Sequence, residues 1–248
     1  MRIVLQPAFV LHRRPYRNTS LLLEALTPEQ GRLGLVARGV RTARSRLKGL
    51  LQPFQRLLLS ASGRGDLLGL TDAEEAGAPL LLPPSRWLSG LYVNELLLRL
   101  LQRQDPHPGV FVAYQTVLEA LADTGNEEAA LRLFEKRLLA GIGYGLALDA
   151  EIHTGAPIVP EGAYRYVLDQ GPCPAGRSAT GIPIAGKSLL ALRQETLSDP
   201  DVLKEAKRLT RAAISVHLQG RPLQTRELLV ALYQRRVGNG CHPGEIIP

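Results

Sequence analysis

Between Gln30 and Gly65 the chain has no aspartate and no glutamate, yet it carries eight cations there: Arg32, Arg38, Arg41, Arg44, Arg46, Lys48, Arg56 and Arg64. Cysteine is nearly absent. Cys173 and Cys241 permit at most one disulfide, which points to a reduced, cytoplasmic protein rather than a disulfide scaffold. They form no C-x-x-C pair with each other or with His153 and His242, so a structural zinc site is not expected. No apolar run reaches the roughly 18 residues of a membrane span. The opening Met1-Arg2-Ile3-Val4-Leu5-Gln6-Pro7 is too short and broken for a signal peptide. Aromatics are scarce around the basic stretch, with only Phe9, Tyr16 and Phe54 nearby. No Ser/His/Asp arrangement stands out among the five scattered histidines, so no catalytic constellation is expected.

What is present is a core-forming composition and an uneven charge. Of the 248 residues 45% are hydrophobic, enough for a packed interior, and the formal net charge is +7. Residues 1–80 hold twelve Lys or Arg against six Asp or Glu, while the remainder is close to balanced. A surface of one sign attracts a polyanion, and counterion release makes nucleic acid the leading candidate. A bland solvated face is the competing explanation of any charge run.

The punctuation divides the chain near Pro79–Ser85. Before it, Ile3–His12, Thr19–Thr27, Arg32–Val40, Pro53–Ala61 and Asp66–Asp72 read as strands separated by Gly, Pro and Asn turns. Five short strands in residues 1–80 suit an OB-fold barrel, with an SH3-like barrel as rival. Arg38–Lys48 then becomes a basic loop presented by a sheet. Residues 81–248 read as helical. Candidate helices are Ser85–Gln104, Gly109–Asp123, one opening at Asn126-Glu127-Glu128, Lys187–Thr196, one opening at Asp199-Pro200, and Thr225–Arg235. The Gly- and Pro-rich segment 147–184 is expected to be irregular. The fold class is therefore α+β, a basic OB-fold barrel in 1–80 followed by a helical domain in 81–248.

Two further patterns carry possible chemistry. On the Asp199 helix, Lys204, Lys207, Arg208 and Arg211 recur at i, i+3, i+4 and i+7, placing four cations on one face. They would extend a nucleic-acid surface, meet an acidic partner, or simply be solvated. Gly181-Ile-Pro-Ile-Ala-Gly186-Lys187-Ser188 matches the phosphate-loop pattern G-x-x-x-x-G-K-[ST]. Pro183 removes an amide where donors are needed, and no apolar strand ending in Asp follows, so the pattern is taken as a coincidence and no cofactor is expected.

Several stretches, in order, resemble the RecO recombination-mediator proteins of bacteria. They include Ala8-Phe9-Val10-Leu11-His12-x-Arg14-Pro15, Leu33-x-Leu35-Val36-Ala37-Arg38-Gly39 and Leu47-Lys48-Gly49-x-Leu51-Gln52-Pro53-Phe54. Further matches are Ser89-Gly90-Leu91-Tyr92-x-Asn94-Glu95-Leu96, Ala130-Leu131-Arg132-x-Phe134-Glu135 and Ala206-Lys207-Arg208-x-Thr210-Arg211. No one segment is specific; their joint order is. The resemblance implies an N-terminal OB-fold, a helical C-terminal domain and no enzymatic activity. It implies binding of single- and double-stranded DNA, annealing of complementary strands, and work with RecR to load RecA onto DNA coated by single-stranded DNA-binding protein. Such a protein is cytoplasmic and nucleoid-associated. Some members carry four cysteines in the region matching 147–184, where a zinc can bind; this chain has only Cys173 there, so zinc is not carried over.

The DNA surface is expected from Arg38, Arg41, Arg44, Arg46 and Lys48, extended by Arg13, Arg14 and Arg17 of the first turn, by Arg64, and by Lys204, Lys207, Arg208 and Arg211. The resemblance further implies docking of the acidic, apolar tail of single-stranded DNA-binding protein on the helical domain. Arg132 would be the anchor, with Phe134, Lys136 and Arg137 beside it; in the opposing view Phe134 is core and the cations are merely solvated. An RNA-binding OB-fold protein of translation or rRNA maturation is the alternative function.

Overall fold

The protein is described by a computed structural model covering residues 1–123, 125–177 and 180–238. The tail with Cys241 and His242 lies outside the described residues. The first 75 residues form strands β1 (Arg2–Tyr16), β2 (Ser20–Thr27), β3 (Gly31–Ala37), β4 (Arg56–Ser62) and β5 (Leu67–Glu75), with a single helical turn α1 (Leu47–Leu50) before β4. They close into a barrel of order β1-β2-β3-β5-β4, the OB-like arrangement. All neighbours are antiparallel except β3 and β5, which run parallel over only three residue pairs, Gly34–Leu67, Leu35–Leu68 and Val36–Gly69.

The long β1 makes closure possible. Its first part pairs with β4 and its second part with β2, with register shifts between Ile3 and Gln6 and between Val10 and His12. Such irregularities bend a strand and raise its twist, so one strand serves two sides of the barrel. Leu5, at the first shift, has φ +46°, and its amide donates to Ser60 Oγ at 3.0 Å. The turn expected at Arg14–Asn18 instead starts later, because β1 runs on through Pro15 to Tyr16. Past His12 the strand pairs on its β2 side only among the described residues, an edge setting in which a proline is tolerated.

Val10, Leu23, Ala25, Leu33, Leu35, Leu57, Leu59 and Leu68 fill the barrel. The outer face of β1 and β2 is also buried, which is why β2 reads as a continuous apolar run rather than an alternating one. Helices α2 (Trp87–Leu100) and α3 (Pro108–Ala122) cover it. Phe9 packs against Phe111 and edge-on to Tyr114, at centroid distances of 5.5 and 5.1 Å. Asn94 ties the layers together: its Nδ2 donates to Leu11 O at 2.8 Å and its Oδ1 accepts from Tyr114 Oη at 2.7 Å. Burial pushes the Tyr114 phenol well above its ordinary pKa.

Two compact units emerge. One holds Met1 to Asp123 and, from Leu223 on, helix α7 (Gln224–Gly238); the other runs from Gly125 to Pro222. In the first unit, α7 is fastened by its start. The Glu95 carboxylate accepts from the amides of Gln224 and Thr225, both at 2.9 Å, from Thr225 Oγ1 at 2.8 Å and from Arg99 at 3.2 Å. An acid from α2 therefore occupies the positive end of α7 and satisfies its orphan donors.

The second unit contains α4 (Glu127–Gly141), β6 (Ala163–Val167), β7 (Gly171–Pro174), β8 (Ile182–Ala185), α5 (Gly186–Gln194) and α6 (Pro200–His217). Asn126 caps α4 by accepting from the Ala129 amide at 3.0 Å, and Asp199 caps α6 from the Asp201 and Val202 amides at 2.8 and 3.4 Å. The 147–184 segment corrects the sequence-based expectation of irregularity: it holds a three-stranded antiparallel sheet of order β7-β6-β8. Its prolines mislead, because Pro172, Pro174 and Pro183 all sit in the two edge strands, where a missing amide is tolerated. The central strand has none, and its Tyr164-Arg165-Tyr166 alternates buried, half-buried, buried. The tyrosines pack on Leu189, Leu192, Ala206 and Leu209. Tyr166 Oη accepts from the Ala147 amide at 2.9 Å, and burial pushes its pKa up to about 12.

Candidate nucleic-acid interface

The eight cations of the acid-free stretch divide into two kinds. Arg32 and Arg56 point into structure. Arg32 lies 3.1 Å from Glu24, which is also held by Arg103, and burial lowers the Arg32 pKa while the bond to Glu24 raises that of Arg103. Arg56 pairs with Glu119 of α3. The other six are exposed. Arg46 is joined to Asp72 of β5, an ion pair open enough to water to contribute little.

The turn that follows β3 folds back onto the β1–β2 hairpin. The Arg41 amide donates to Thr19 O at 2.8 Å, and Arg41 Nη1 donates to the carbonyls of Arg17 and Asn18, both at 3.3 Å. This closes one end of the barrel into an open cleft of about 430 Å³, lined by Arg13, Arg14, Pro15, Leu21, Val40, Arg41 and Lys48. No Asp or Glu lines it. The end of β1 and the basic loop, whose lining cations are 27 or more residues apart in sequence, thus present their cations at one place. Arg17 stands beside it with φ +52°, its guanidinium 5.2 Å from the Tyr16 ring centroid. Arg38 and Arg44 are exposed on the flanking turn.

Other expected residues lie elsewhere. Arg64 is exposed in the β4–β5 turn, and the parallel register Gly34–Leu67 puts that turn alongside the start of β3, away from the cleft at its end. On α6 the four-cation stripe is largely engaged within its own unit. Lys207 is half-buried and 3.1 Å from Glu128, with its pKa lowered by burial, and Arg208 donates to Pro183 O. Lys204 is exposed and Arg211 half-buried.

The expected partner surface on α4 is corrected. Arg132 is 1% exposed and Phe134 equally buried, so neither offers a docking anchor at the surface. Arg132 Nη2 donates to Glu135 Oε1 at 2.7 Å, and Glu135 Oε2 accepts from Thr210 Oγ1 of α6. Arg132 Nε and Nη1 have no hydrogen-bond partner. The reason is helical phase: Arg132 follows Leu131 and precedes Glu135 by one turn on the stripe that packs on α6. Lys136 and Arg137 are at the surface but both hold Glu195, at 3.1 and 3.2 Å. The Arg137 bond is the main cause of a lowered Glu195 pKa, against a smaller opposing effect of burial.

The phosphate-loop pattern takes another role. Its four middle positions are strand β8 rather than a loop, and the amides a phosphate would need are spent: Gly186 N donates to Gly162 O at 2.7 Å, Lys187 N to Pro160 O at 2.9 Å, and Ala185 N to Glu205 at 2.9 Å. Gly186 is required by packing, since a Cβ there would lie 1.8 Å from Val159 O. Lys187 pairs with Asp199 at 3.3 Å. No group of three or more potential metal ligands occurs among the described residues. No helix among them is long and apolar enough to cross a membrane.

What sequence reasoning missed at the cleft is its apolar part. Leu21 and Val40 read as ordinary strand residues, and Pro15 as a turn breaker; Pro15 and Leu21 are register partners in the β1–β2 hairpin beside Arg14, and Leu21 and Val40 are barrel core beneath the cleft. Comparison with known proteins places the chain in a family. Residues 1–78 match the family described as Recombination protein O N terminal, and residues 83–227 the one described as Recombination protein O C terminal. The chain is 48% identical over 240 residues to a protein of Nitrosococcus oceani named DNA repair protein RecO, covering 96% of this chain and 97% of that one. Proteins of the same name from Coxiella burnetii and Aliivibrio fischeri are 48% and 40% identical, covering 92% and 91% of this chain and 98% and 95% of theirs.

Proposed function

This chain belongs to the RecO family of DNA repair proteins, and from that premise we propose that it is a non-enzymatic recombination mediator. It binds single- and double-stranded DNA, anneals complementary strands and, with RecR, helps load RecA onto DNA coated by single-stranded DNA-binding protein. Its place is then the cytoplasm, at the nucleoid.

The observation that carries the reading is the uncompensated cleft at the end of the barrel, where Arg13, Arg14, Arg41 and Lys48 converge with no acid among the lining residues. Two strands repel each other, and a protein that neutralises phosphates on both lowers that barrier while leaving most base edges free to pair. Arg14, Arg44 and Lys48 do the gripping, because they are exposed and outside the ion pairs that engage Arg32, Arg46 and Arg56. Arg41 holds the turn in place and adds its charge. The resemblance supports the partners RecR, RecA and the tail of single-stranded DNA-binding protein. With Arg132 and Phe134 buried, that tail would meet the α4 surface at Lys136 and Arg137.

The test is annealing of complementary oligonucleotides coated with their cognate single-stranded DNA-binding protein. Wild type is compared with Arg14→Ala/Arg44→Ala/Lys48→Ala, checked for folding by circular dichroism. Annealing by wild type and its loss in the variant is the expected result. Annealing by both moves the surface away from the cleft. Annealing by neither at low salt, with RNA bound instead, favours an RNA-binding barrel.

A further inference from the structure

Trp87 is the chain's only tryptophan and the first residue of α2, and it is 47% exposed. Its ring is nevertheless fixed. The indole Nε1 donates to Leu82 O at 3.1 Å, and the ring meets Phe54 edge to face, with centroids 5.6 Å apart and planes at 87°. Phe54 in turn is buried against Gly90 of α2, where a Cβ would lie 2.8 Å from its ring. An exposed indole that spends its one donor within the protein presents π surface and no pattern of donors and acceptors. The segment carrying Phe54 also leads to the cations: Pro53 forms a β-bridge with Val10 of β1, and Leu51 O accepts from Arg13 Nη1 at 3.5 Å. Only three residues of backbone lead from Leu51 to Phe54, so Trp87 stands at most roughly 25 Å from the Arg13 guanidinium. A strand that occupies about 4–16 nucleotides on one barrel of this kind spans that distance.

Resting on the DNA-binding reading, we infer that Trp87 is a stacking platform for one base of a single strand whose phosphates lie on the cations at the barrel end. It supplies what the basic surface lacks. Phe9 and Phe54 are buried, and Tyr16 is half-buried with Arg17 on its ring, so none of the aromatics near the basic stretch in sequence offers a free ring. Stacking holds a base by its face, whichever base it is, and leaves its pairing edge clear. That suits a protein that must keep a strand ready for its complement. A ring already fixed by Leu82 and Phe54 also loses little freedom when a base settles on it. In a duplex both faces of an internal base are covered, so contact with Trp87 requires unstacking and is given up as pairing proceeds. The platform thus favours the strand before annealing over the duplex after it.

Because Trp87 is the only tryptophan, intrinsic fluorescence reports on it without a label. The protein is titrated at one salt concentration with oligothymidylate and with a strand of equal length made of abasic tetrahydrofuran units, so that the phosphates are matched and only the bases differ. Affinities are read in parallel from the anisotropy of end-labelled strands. Oligothymidylate is expected to quench the emission, the abasic strand to bind without quenching, and the complementary strand to restore the emission. Trp87→Ala is expected to weaken oligothymidylate binding about five- to tenfold, the lower end of what one stacked base contributes, with the abasic strand's affinity unchanged as the sign of an intact fold. Trp87→Phe, which keeps a ring, is expected to retain most of the oligothymidylate affinity. Emission unchanged at saturation with oligothymidylate overturns the platform and leaves the phosphate-binding reading standing. Equal loss of both strands in Trp87→Ala, or loss of neither, also overturns it. Binding of neither strand by wild type overturns the DNA-binding reading itself.

Discussion

Replacing Glu135 by alanine is expected to cost about 3–5 kcal/mol of stability in the second unit. The carboxylate is fully buried between Arg132 of its own helix and Thr210 of α6. Its removal leaves a guanidinium inside the protein whose Nε and Nη1 already lack partners, so the whole cation is stranded. Arg132→Ala is the milder change, because Glu135 keeps the Thr210 hydroxyl. Removing both charges in Arg132→Met/Glu135→Leu is expected to bring stability back to within about 1–2 kcal/mol of wild type, since apolar groups of similar volume often replace a buried pair without loss. Urea unfolding followed by circular dichroism reads this directly. At an m value of about 2 kcal/mol/M, a loss of about 4 kcal/mol moves the midpoint by roughly 2 M. A Glu135→Ala midpoint within about 0.3 M of wild type, on the same slope, would refute the reasoning, and so would a double variant as unstable as the single one. The outcome also bears on partner binding: a defect in Arg132→Ala that disappears in a refolded, stability-matched variant is structural in origin.

Three other outcomes are expected. Glu95→Ala removes the acceptor for the first amides of α7, so hydrogen exchange in residues 224–232 should quicken about 5- to 30-fold, the range of a lost helix cap, with the barrel strands unaffected. Glu195 has its pKa lowered in the fold chiefly by Arg137. The stabilisation this gives is present above the ordinary glutamate pKa and is lost as pH falls through the lowered value. The melting-temperature gap between wild type and Arg137→Ala should therefore be widest at neutral pH and close on acidification below about pH 4. Equilibrium dialysis should detect no ATP on the wild type and no change in Lys187→Ala, because the amides at the start of α5 are already bonded; retention of ATP that Lys187→Ala abolishes would contradict the assignment.

The barrel was legible because its signals are local. Alternation over Arg32–Val36, turn residues at regular intervals and a change of period after Pro84 each depend on neighbours in sequence. The caps at Asn126 and Asp199 are local too, and both were readable. What escaped depends on distant partners. Whether a proline breaks a strand depends on which side of the sheet that strand occupies, and nothing in Pro172 or Pro183 reveals an edge. Arg132 and Glu135 could be read as an i,i+3 pair, but their burial is decided by α6, some 75 residues on. At the cleft the charges were visible in the sequence; the meeting of Arg13 and Arg14 with Arg41 and Lys48 depends on the Arg41 fold-back and was not.

The chain order of the two units bears on how the protein is made. The second unit is inserted between Glu95 and the α7 amides that satisfy it, 129 and 130 residues away. On a ribosome the barrel and α2 emerge early with Arg99 beside Glu95, yet the carboxylate must wait some 130 residues more for the amides of α7. The making of α7 is thus a late fastening step, and a message truncated before Gln224 yields a barrel whose Glu95 keeps Arg99 but lacks the three donors of Gln224 and Thr225.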